Sequence, residues 1–321
     1  MIEEAVYRLF DELAAKNPGE HVAIGPPLTE LGWEDIEAEY PIAACELLFQ
    51  AQGRSLLNSD CLAKIMLAEL SPLLEGPVDG IVLPGLTEGF TPGSDVENIA
   101  GILLGPLPSA GRLVVPISGK DGTVSVGVVD TERLEGKRLD TFDTSAHWTH
   151  VSGSITGGLV DASTEWSRAI AGAHRALATE LVTIADQALR TAVEHVSVRI
   201  QFGTPIGSFQ SPRHLLADAA AGLEGARALL AQTWGERGAF SALTAKAAAG
   251  RAHRAVSDAA MQVCGAIGLT MEHDLHRYVT RGFQIDSLCG SYQDLEILLA
   301  DQLFDIDSPG GALPAHTAWA V

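Results

Sequence analysis

The chain has 321 residues, of which 46% are apolar and 19% charged, a composition that is typical of a folded protein and excludes a largely disordered one. Its 41 acidic and 21 basic residues give a formal net charge of −20, so we expect neither nucleic acid nor an anionic membrane surface as a partner. The lack of a long apolar run predicts no signal peptide and no transmembrane helix. Four widely spaced cysteines without a C-x-x-C pair argue against disulfides and favour a reducing cytoplasm: Cys45, Cys61, Cys264 and Cys289.

The first part of the chain is predicted to be helical. Apolar residues recur at helical spacing over residues 2–16, and the sequence N-P-G then ends the pattern. Two more helices are expected over residues 43–52 and 60–74. We therefore predict an N-terminal helical domain over residues 1–77.

Glycine, proline and short β-branched runs then become frequent, which predicts a small β domain over residues 78–155. Residues 113–115 and 124–129 are the clearest strands, and the K-D-G sequence at 120–122 is typical of a hairpin turn between them.

The helical pattern returns at Ser163. Apolar residues step by three or four from Trp166 to Ala188, which predicts one long amphipathic helix. Further helices are expected over residues 213–232, 239–264 and 291–304, and the tail from Ser308 is expected to be a surface loop. The prediction is a mainly α fold with a small central β domain and a C-terminal antiparallel four-helix bundle over residues 156–321.

Two motifs in this last part resemble those of the acyl-CoA dehydrogenase family. Residues 199–210, R-I-Q-F-G-T-P-I-G-S-F-Q, resemble the family's R-x-x-F-G-x-P-I-x-x-F-Q almost position for position. Residues 262–268, Q-V-C-G-A-I-G, resemble its Q-x-x-G-G-x-G, with Ala266 in place of one glycine. Residues 31–33 and 46–54 resemble the N-terminal helices more loosely. The resemblance implies the family's fold, with shortened N-terminal and β domains.

In this family, FAD lies at a subunit interface and these two motifs contact the flavin of the neighbouring subunit. A guanidinium suits the FAD pyrophosphate, because it donates bidentate, charge-assisted hydrogen bonds. Gly265 and Gly268 are expected to leave room for the ligand. The resemblance assigns six residues, hereafter the motif residues, to FAD: Arg199, Gln201, Phe202, Gln210, Gln262 and Gly265. The alternative for Arg199 is a cation that only caps a helix C-terminus.

The family's reaction requires a carboxylate base, and its members place that glutamate at one of two positions. Alignment from the motifs puts Cys289 at the first and Ala173 at the second, so this chain carries no carboxylate at either. With no adjacent cation in sequence, the Cys289 thiol is interpreted as a packed core residue. The family's flavin-cradling T-E-P-G-A-G-S-D is only loosely matched at residues 87–95, which are better explained as a Gly/Pro-rich turn.

His273 and His276 are three residues apart and in principle could share a metal ion, but the sequence shows no third ligand. We therefore expect no metal site there, and interpret residues 272–276 as a solvated helix end.

Together these features predict the non-catalytic subunit of an α2β2 acyl-CoA dehydrogenase. Its partner would be a homologous catalytic chain that holds the acyl-CoA, which the resemblance implies is a bulky steroid side-chain thioester. Two alternatives remain open. One is a self-sufficient dehydrogenase with an unusual base such as Glu272 or Glu165, and the other is a non-enzymatic scaffold that has kept the fold.

Overall fold

The computed structural model describes residues 2–86, 94–119, 121–236 and 238–304. The helices of these residues are α1 (Ile2–Lys16), α2 (Gly25–Glu30), α3 (Trp33–Glu39), α4 (Pro41–Ser55), α5 (Cys61–Leu70), α6 (Ser163–Val198), α7 (Gln210–Glu236), α8 (Ala239–Cys264), α9 (Leu275–Asp286) and α10 (Tyr292–Phe304). The strands are β1 (His21–Val22), β2 (Asn58–Ser59), β3 (Gly80–Ile81), β4 (Ile99–Leu104), β5 (Arg112–Ser118), β6 (Val124–Asp130), β7 (Leu134–Arg138), β8 (Trp148–Gly153), β9 (Val160–Asp161), β10 (Ile200–Gln201) and β11 (Thr204–Pro205). In the part of the chain so described, no helix is long and apolar enough to cross a membrane.

The predicted mainly α fold with a central β region is confirmed. Helix α1 has the predicted bounds, buries Val6 and Phe10, and ends where the Asn17 side chain donates a hydrogen bond to the Leu13 carbonyl at 2.9 Å. The predicted helices of residues 43–52 and 60–74 correspond to α4 and to α5 with a following 3₁₀ turn. The short helices α2 and α3 were not predicted.

The β region consists of two packed sheets. One has the strand order β3-β5-β6-β9, and the other has the order β4-β8-β7. The predicted β5–β6 hairpin is antiparallel, as expected, although Lys120 of its turn lies outside the described residues. An apolar cluster fills the space between the sheets: Val82, Ile99, Leu103, Leu113, Val115, Ile117, Val129, Leu134, Val151 and Ile155.

Helix α6 is the centre of the molecule. It packs against α7, α8 and α9 on one side and against α4 and α5 on the other. Close approach of α4 depends on Gly53, because a Cβ there would lie 2.8 Å from the Glu180 carbonyl oxygen of α6. The small alanines along α6 allow this packing, and Ala169, Ala173, Ala176 and Ala185 are fully buried.

The bundle contains the four predicted helices and a fifth. Helix α9 contacts both α6 and α8, and its first residue, Leu275, is fully buried. The interpretation of residues 272–276 as a solvated helix end is therefore wrong from Leu275 onward. The domain boundaries after residues 77 and 155 stay predictions, and the two-residue strand β9 pairs with β6 beyond the second of them.

Candidate functional site

The first motif forms a turn that follows α6. The Arg199 backbone N–H donates to the His195 carbonyl at 2.9 Å, and the Ile206 N–H donates to the Arg199 carbonyl at 2.8 Å. Strands β10 and β11 lie between these bonds as a short antiparallel hairpin. At its tip, Phe202 has a φ of 54° and is 93% exposed. A large apolar side chain in this position is available to a neighbouring molecule.

The second motif lies where α8 ends. Gln262 and Gly265 are both exposed, as are Arg199, Gln201 and Gln210. Gly265 has a φ of 64°, and no atom lies within 4 Å of where its Cβ would be, so the backbone here is open to a ligand, as predicted. Gly268 differs from the prediction: it is buried, and a Cβ would meet Leu275 at 3.1 Å. The absence of a side chain at residue 268 therefore allows close packing against Leu275 and does not provide space for a ligand.

The structure brings the ends of the two motif-bearing helices together. The His195 ring, one helical turn before Arg199, meets the His273 ring at a centroid distance of 5.6 Å. Ligand atoms of both rings and of Cys264, two residues after Gln262, lie within 4.8 Å of one another. The motifs therefore share one end of the bundle, although 63 residues separate Arg199 from Gln262 in sequence.

The exposed groups at this end fit a nucleotide cofactor. Arg199 offers a guanidinium for a diphosphate, and three glutamine amides offer both donors and acceptors. The open backbone at Gly265 adds space for close approach. Because these side chains are exposed, they are accessible to a bound group.

Neither family base position carries a carboxylate. Ala173 on α6 is fully buried and presents only a methyl group. Cys289 is 2% exposed and has a φ of 55°, and its carbonyl accepts a hydrogen bond from His174 Nε2 at 2.8 Å. Burial raises the pKa of the Cys289 thiol to about 12 and outweighs the opposing charge of Lys246. The thiol is neutral and packed.

The sequence shows no cation next to Cys289, but the fold places Lys246 close to it. The side chain is fully buried, and its ammonium donates to the Asp286 carbonyl at 2.8 Å, the Asp286 carboxylate at 3.1 Å and the Gly290 carbonyl at 3.2 Å. These bonds fix the turn between α9 and α10 that holds Cys289. They occupy the cation, so it does not activate the thiol.

Neither carboxylate of the alternative hypothesis is buried. Glu165 is in the first turn of α6 and pairs with Arg168 at 3.4 Å. Glu272 is exposed in the segment before α9.

The loosely matched flavin-cradling segment is described only in part, because Thr87 to Gly93 lie outside the described residues. Ser94 is buried, and its hydroxyl bonds to the N–H and carbonyl of Ala100, both at 2.9 Å. The Asp95 carboxylate accepts bonds from the N–H groups of Glu97 and Asn98. These contacts form a local turn after Ser94, whereas the interpretation of residues 87–95 as a Gly/Pro-rich turn stays a prediction.

A buried carboxyl that sequence reasoning missed lies between α4 and α6. Glu180 is 2% exposed and accepts a hydrogen bond from Gln52 Nε2 at 2.8 Å. Its second oxygen, Oε1, is buried without a hydrogen-bond partner among the described residues. Burial raises the pKa of Glu180 to about 7, opposed in part by Arg281 and by the Gln52 bond. The only sequence signal was a glutamate on the apolar face of a long helix.

Glu180 lines a narrow cavity of about 30 Å³ together with Gln52, His21, Trp148 and Arg281. One water needs roughly 10–15 Å³ of such space, so the cavity has room for about two or three waters. Small-molecule sites are about ten or more times larger, at roughly 300–1,000 Å³. This cavity does not accommodate an acyl chain and a flavin.

Comparison with known proteins agrees with the motifs. A family model described as acyl-CoA dehydrogenase, C-terminal domain, matches residues 168–288. The acyl-CoA dehydrogenase IpdE2 of Mycobacterium tuberculosis is 30% identical over 241 residues, which cover 75% of this chain and 71% of that protein.

Two solved structures share the fold. The ChsE4–ChsE5 complex from Mycobacterium tuberculosis gives a TM-score of 0.67 at 20% identity, over 82% of this chain and 80% of that chain. A variant of the Tcur3481–Tcur3483 steroid ACAD gives a TM-score of 0.65 at 24% identity, over 82% and 81%.

Proposed function

Because this chain belongs to the acyl-CoA dehydrogenase family, we propose that it is the non-catalytic subunit of a heteromeric, FAD-dependent member. The partner is a homologous catalytic chain in an α2β2 assembly, and this chain adds its motif residues to the partner's FAD. One combined observation carries the proposal. The motif residues are intact and exposed, whereas the two family base positions hold the buried methyl group of Ala173 and the buried thiol of Cys289.

Each motif residue has a role in binding. The Arg199 guanidinium pairs with the FAD pyrophosphate, and Gln210 and Gln262 bond to polar atoms of the adenosine part. Gly265 lets the backbone approach, and Phe202 packs across the interface beside Gln201. A bound FAD would supply the acceptor for a hydride from the acyl β-carbon. The proton that leaves the α-carbon has no acceptor at residue 173 or residue 289, so this chain binds and orients the cofactor only.

The proposed substrate is a bulky steroid side-chain acyl-CoA, bound in the partner's site. The support is similarity in fold to the Tcur3481–Tcur3483 steroid ACAD and to the ChsE4–ChsE5 complex. A cytoplasmic location is part of the proposal. Its support is the cysteine pattern of the sequence, four widely spaced cysteines without a C-x-x-C pair.

Co-expression with a homologous chain that has the family glutamate tests the proposal. The visible spectrum and acyl-CoA dehydrogenase activity are recorded for each chain alone and for the complex. We expect this chain alone to be nearly colourless and inactive, and the complex to be yellow and active. Stoichiometric FAD on the isolated chain would contradict the proposal. A colourless chain with no effect on its partner would instead identify a scaffold.

A self-sufficient dehydrogenase is the second candidate, and Glu180 is the observation that favours it. A carboxyl with a pKa of about 7 suits a general base at neutral pH. The size of the adjoining cavity, about 30 Å³, argues against this role. A yellow isolated chain that oxidises acyl-CoA, and loses that activity in Glu180→Gln, would establish it.

A further inference from the structure

A cluster of three potential metal ligands lies at the motif-bearing end of the bundle. Each of His195, Cys264 and His273 offers one ligand atom, and these atoms all lie within 4.8 Å of one another. The two imidazole rings are 5.6 Å apart and cross at 80°. Among the described residues, no other group of three or more potential ligand side chains brings its ligand atoms this close together.

The set has the chemistry of a zinc site. One thiolate and two imidazoles are ordinary Zn²⁺ ligands, with a tetrahedral geometry and bonds of about 2.0–2.3 Å. Two ligands of such an ion are then about 3.5 Å apart. The cluster exceeds that spacing by little more than 1 Å at most, a difference that small side-chain rotations remove.

The three ligands come from separate segments. His195 is in the last turn of α6, and Cys264 is the last residue of α8. His273 lies just before α9, where its Nδ1 accepts a hydrogen bond from the Leu275 N–H at 3.3 Å. Sequence spacing paired His273 with His276 instead, but the His276 Nδ1 bonds to the His273 carbonyl at 2.7 Å.

We propose that His195, Cys264 and His273 bind one Zn²⁺ ion, with a water molecule at the fourth position. Cys264 is 7% exposed, whereas both histidines are half-buried. The thiol side of the site is therefore shielded from water, and the histidine side is open to solvent. A three-residue set with one open position is a recognised arrangement for zinc. The proposal concerns this chain alone and holds whether or not the chain has the function proposed above.

Metal binding requires two neutral imidazoles and a thiolate, so it is coupled to the release of a proton from Cys264. Zn²⁺ displaces the thiol proton to solvent as the zinc–sulfur bond forms, and no oxidant or reductant takes part.

The ion would link the three segments that position the two motifs. It fixes the end of α6 one turn before Arg199 and the end of α8 next to Gly265. It also holds the segment before α9 against both. Bound zinc would thus hold these three segments together at the motif-bearing end of the bundle.

Cobalt substitution tests the proposal on the full chain. The purified protein is stripped with a chelator and titrated with Co²⁺, and the absorption spectrum is recorded. We expect one Co²⁺ per chain, with a thiolate-to-cobalt charge-transfer band and the strong ligand-field bands of a tetrahedral ion. Excess Zn²⁺ should abolish these bands. A wild-type chain that binds no stoichiometric Co²⁺, or binds it without the thiolate band, overturns the proposal.

Variants identify the ligands. Cys264→Ser and His273→Ala should each weaken Co²⁺ binding by roughly 100-fold or more. Matched controls are Cys45→Ser, a half-buried thiol on α4, and His214→Ala, an exposed imidazole on α7, and both should bind as wild type does. Far-ultraviolet circular dichroism in chelator confirms that each variant is folded. Binding that survives either ligand substitution with less than about a tenfold change refutes the assignment.

Discussion

Arg281 on α9 and Asp143, in the loop between β7 and β8, form an ion pair in which both side chains are less than one-tenth exposed. The Arg281 Nε donates to the carboxylate, and the Gln284 side chain accepts a bond from the Asp143 N–H at 2.6 Å. Burial alone would raise the pKa of Asp143, but Arg281 and Ser145 outweigh it and hold the pKa below its usual range. This pair fastens the bundle to the β region.

Arg281→Ala should therefore be strongly destabilising, because it leaves the Asp143 carboxylate buried without its partner. We expect a loss of about 3–5 kcal/mol in the free energy of unfolding, measured in urea. The matched control is Arg277→Ala on the same helix, whose pair with Asp274 is exposed and should contribute about 0–1 kcal/mol. Equal losses of unfolding free energy in the two variants would show that the buried ion pair stabilises the fold no more than the exposed one.

Glu180 should make the stability of the fold depend on pH. Its pKa in the folded chain is about 7, above the ordinary 4.5, so burial favours the protonated form. Its contribution to stability is fully present below about pH 4.5 and is lost as pH rises through 7. Glu180→Gln keeps the acceptor for Gln52 and removes the charge. It should be more stable than wild type by roughly 3 kcal/mol at pH 8 and equally stable at pH 4.

The difference is measured by urea unfolding at both pH values. Glu12→Gln, at an exposed position on α1, is the control and should show no such gain. If Glu180→Gln were no more stable than wild type at pH 8, the folded pKa of Glu180 would not be raised.

Arg199 should matter for a cofactor that another chain holds. In the co-expressed complex, Arg199→Ala removes a charge-assisted contact worth about 1.5–3 kcal/mol, which weakens FAD binding about 10- to 150-fold. Lysine should restore only part of the affinity, because it lacks the bidentate geometry. FAD content after dilution and sedimentation of the complex are the measurements, and excess FAD should partly restore both.

Arg190→Ala is the control for this experiment, since Arg190 lies on α6, the helix that precedes Arg199, and its largely exposed side chain pairs with Asp186 at 2.8 Å. Unchanged FAD affinity in Arg199→Ala would show that the chain has kept this motif without using it to bind FAD.

Cys289→Ala should leave turnover of the assembled complex within a few-fold of wild type. The thiol is neutral and packed, so its loss removes only a small buried group. Steady-state kinetics of the complex provide the test. A fall of about 10³-fold or more in kcat with the complex intact would mean that the thiol takes part in the reaction.

Long periodic segments were predictable because their signal is local. Helices α1, α6 and α8 begin at the predicted residues, since an unbroken apolar stripe marks each of them. Helix α9 was missed although its apolar residues recur at helical spacing, because the segment is polar overall and even buries Arg281, Gln284 and Asp286. Strand β7 was missed for a related reason: four of its five residues are exposed, and no alternation is visible.

The exposed motif residues could be found from sequence because each motif is contiguous. The buried polar contacts could not be found in this way. Gln52 and Glu180 are 128 residues apart, and Arg281 and Asp143 are 138 apart, so only the packing of the elements brings each pair together. The same holds for His195, Cys264 and His273: local spacing paired His273 with His276, and only the fold brings His195 and Cys264 next to it.

The buried Lys246 decides what would be needed to engineer a self-sufficient catalyst from this chain. Cys289→Glu alone would place a longer, charged side chain at a 2% exposed position with a left-handed backbone. The new carboxylate would lie near the Lys246 ammonium, whose charge already lowers the pKa of the residue at 289. An opposite charge at short range keeps a carboxylate ionised and weakly basic. A redesign would therefore have to replace Lys246 together with Cys289, and would then have to find a new partner for the Asp286 carboxylate.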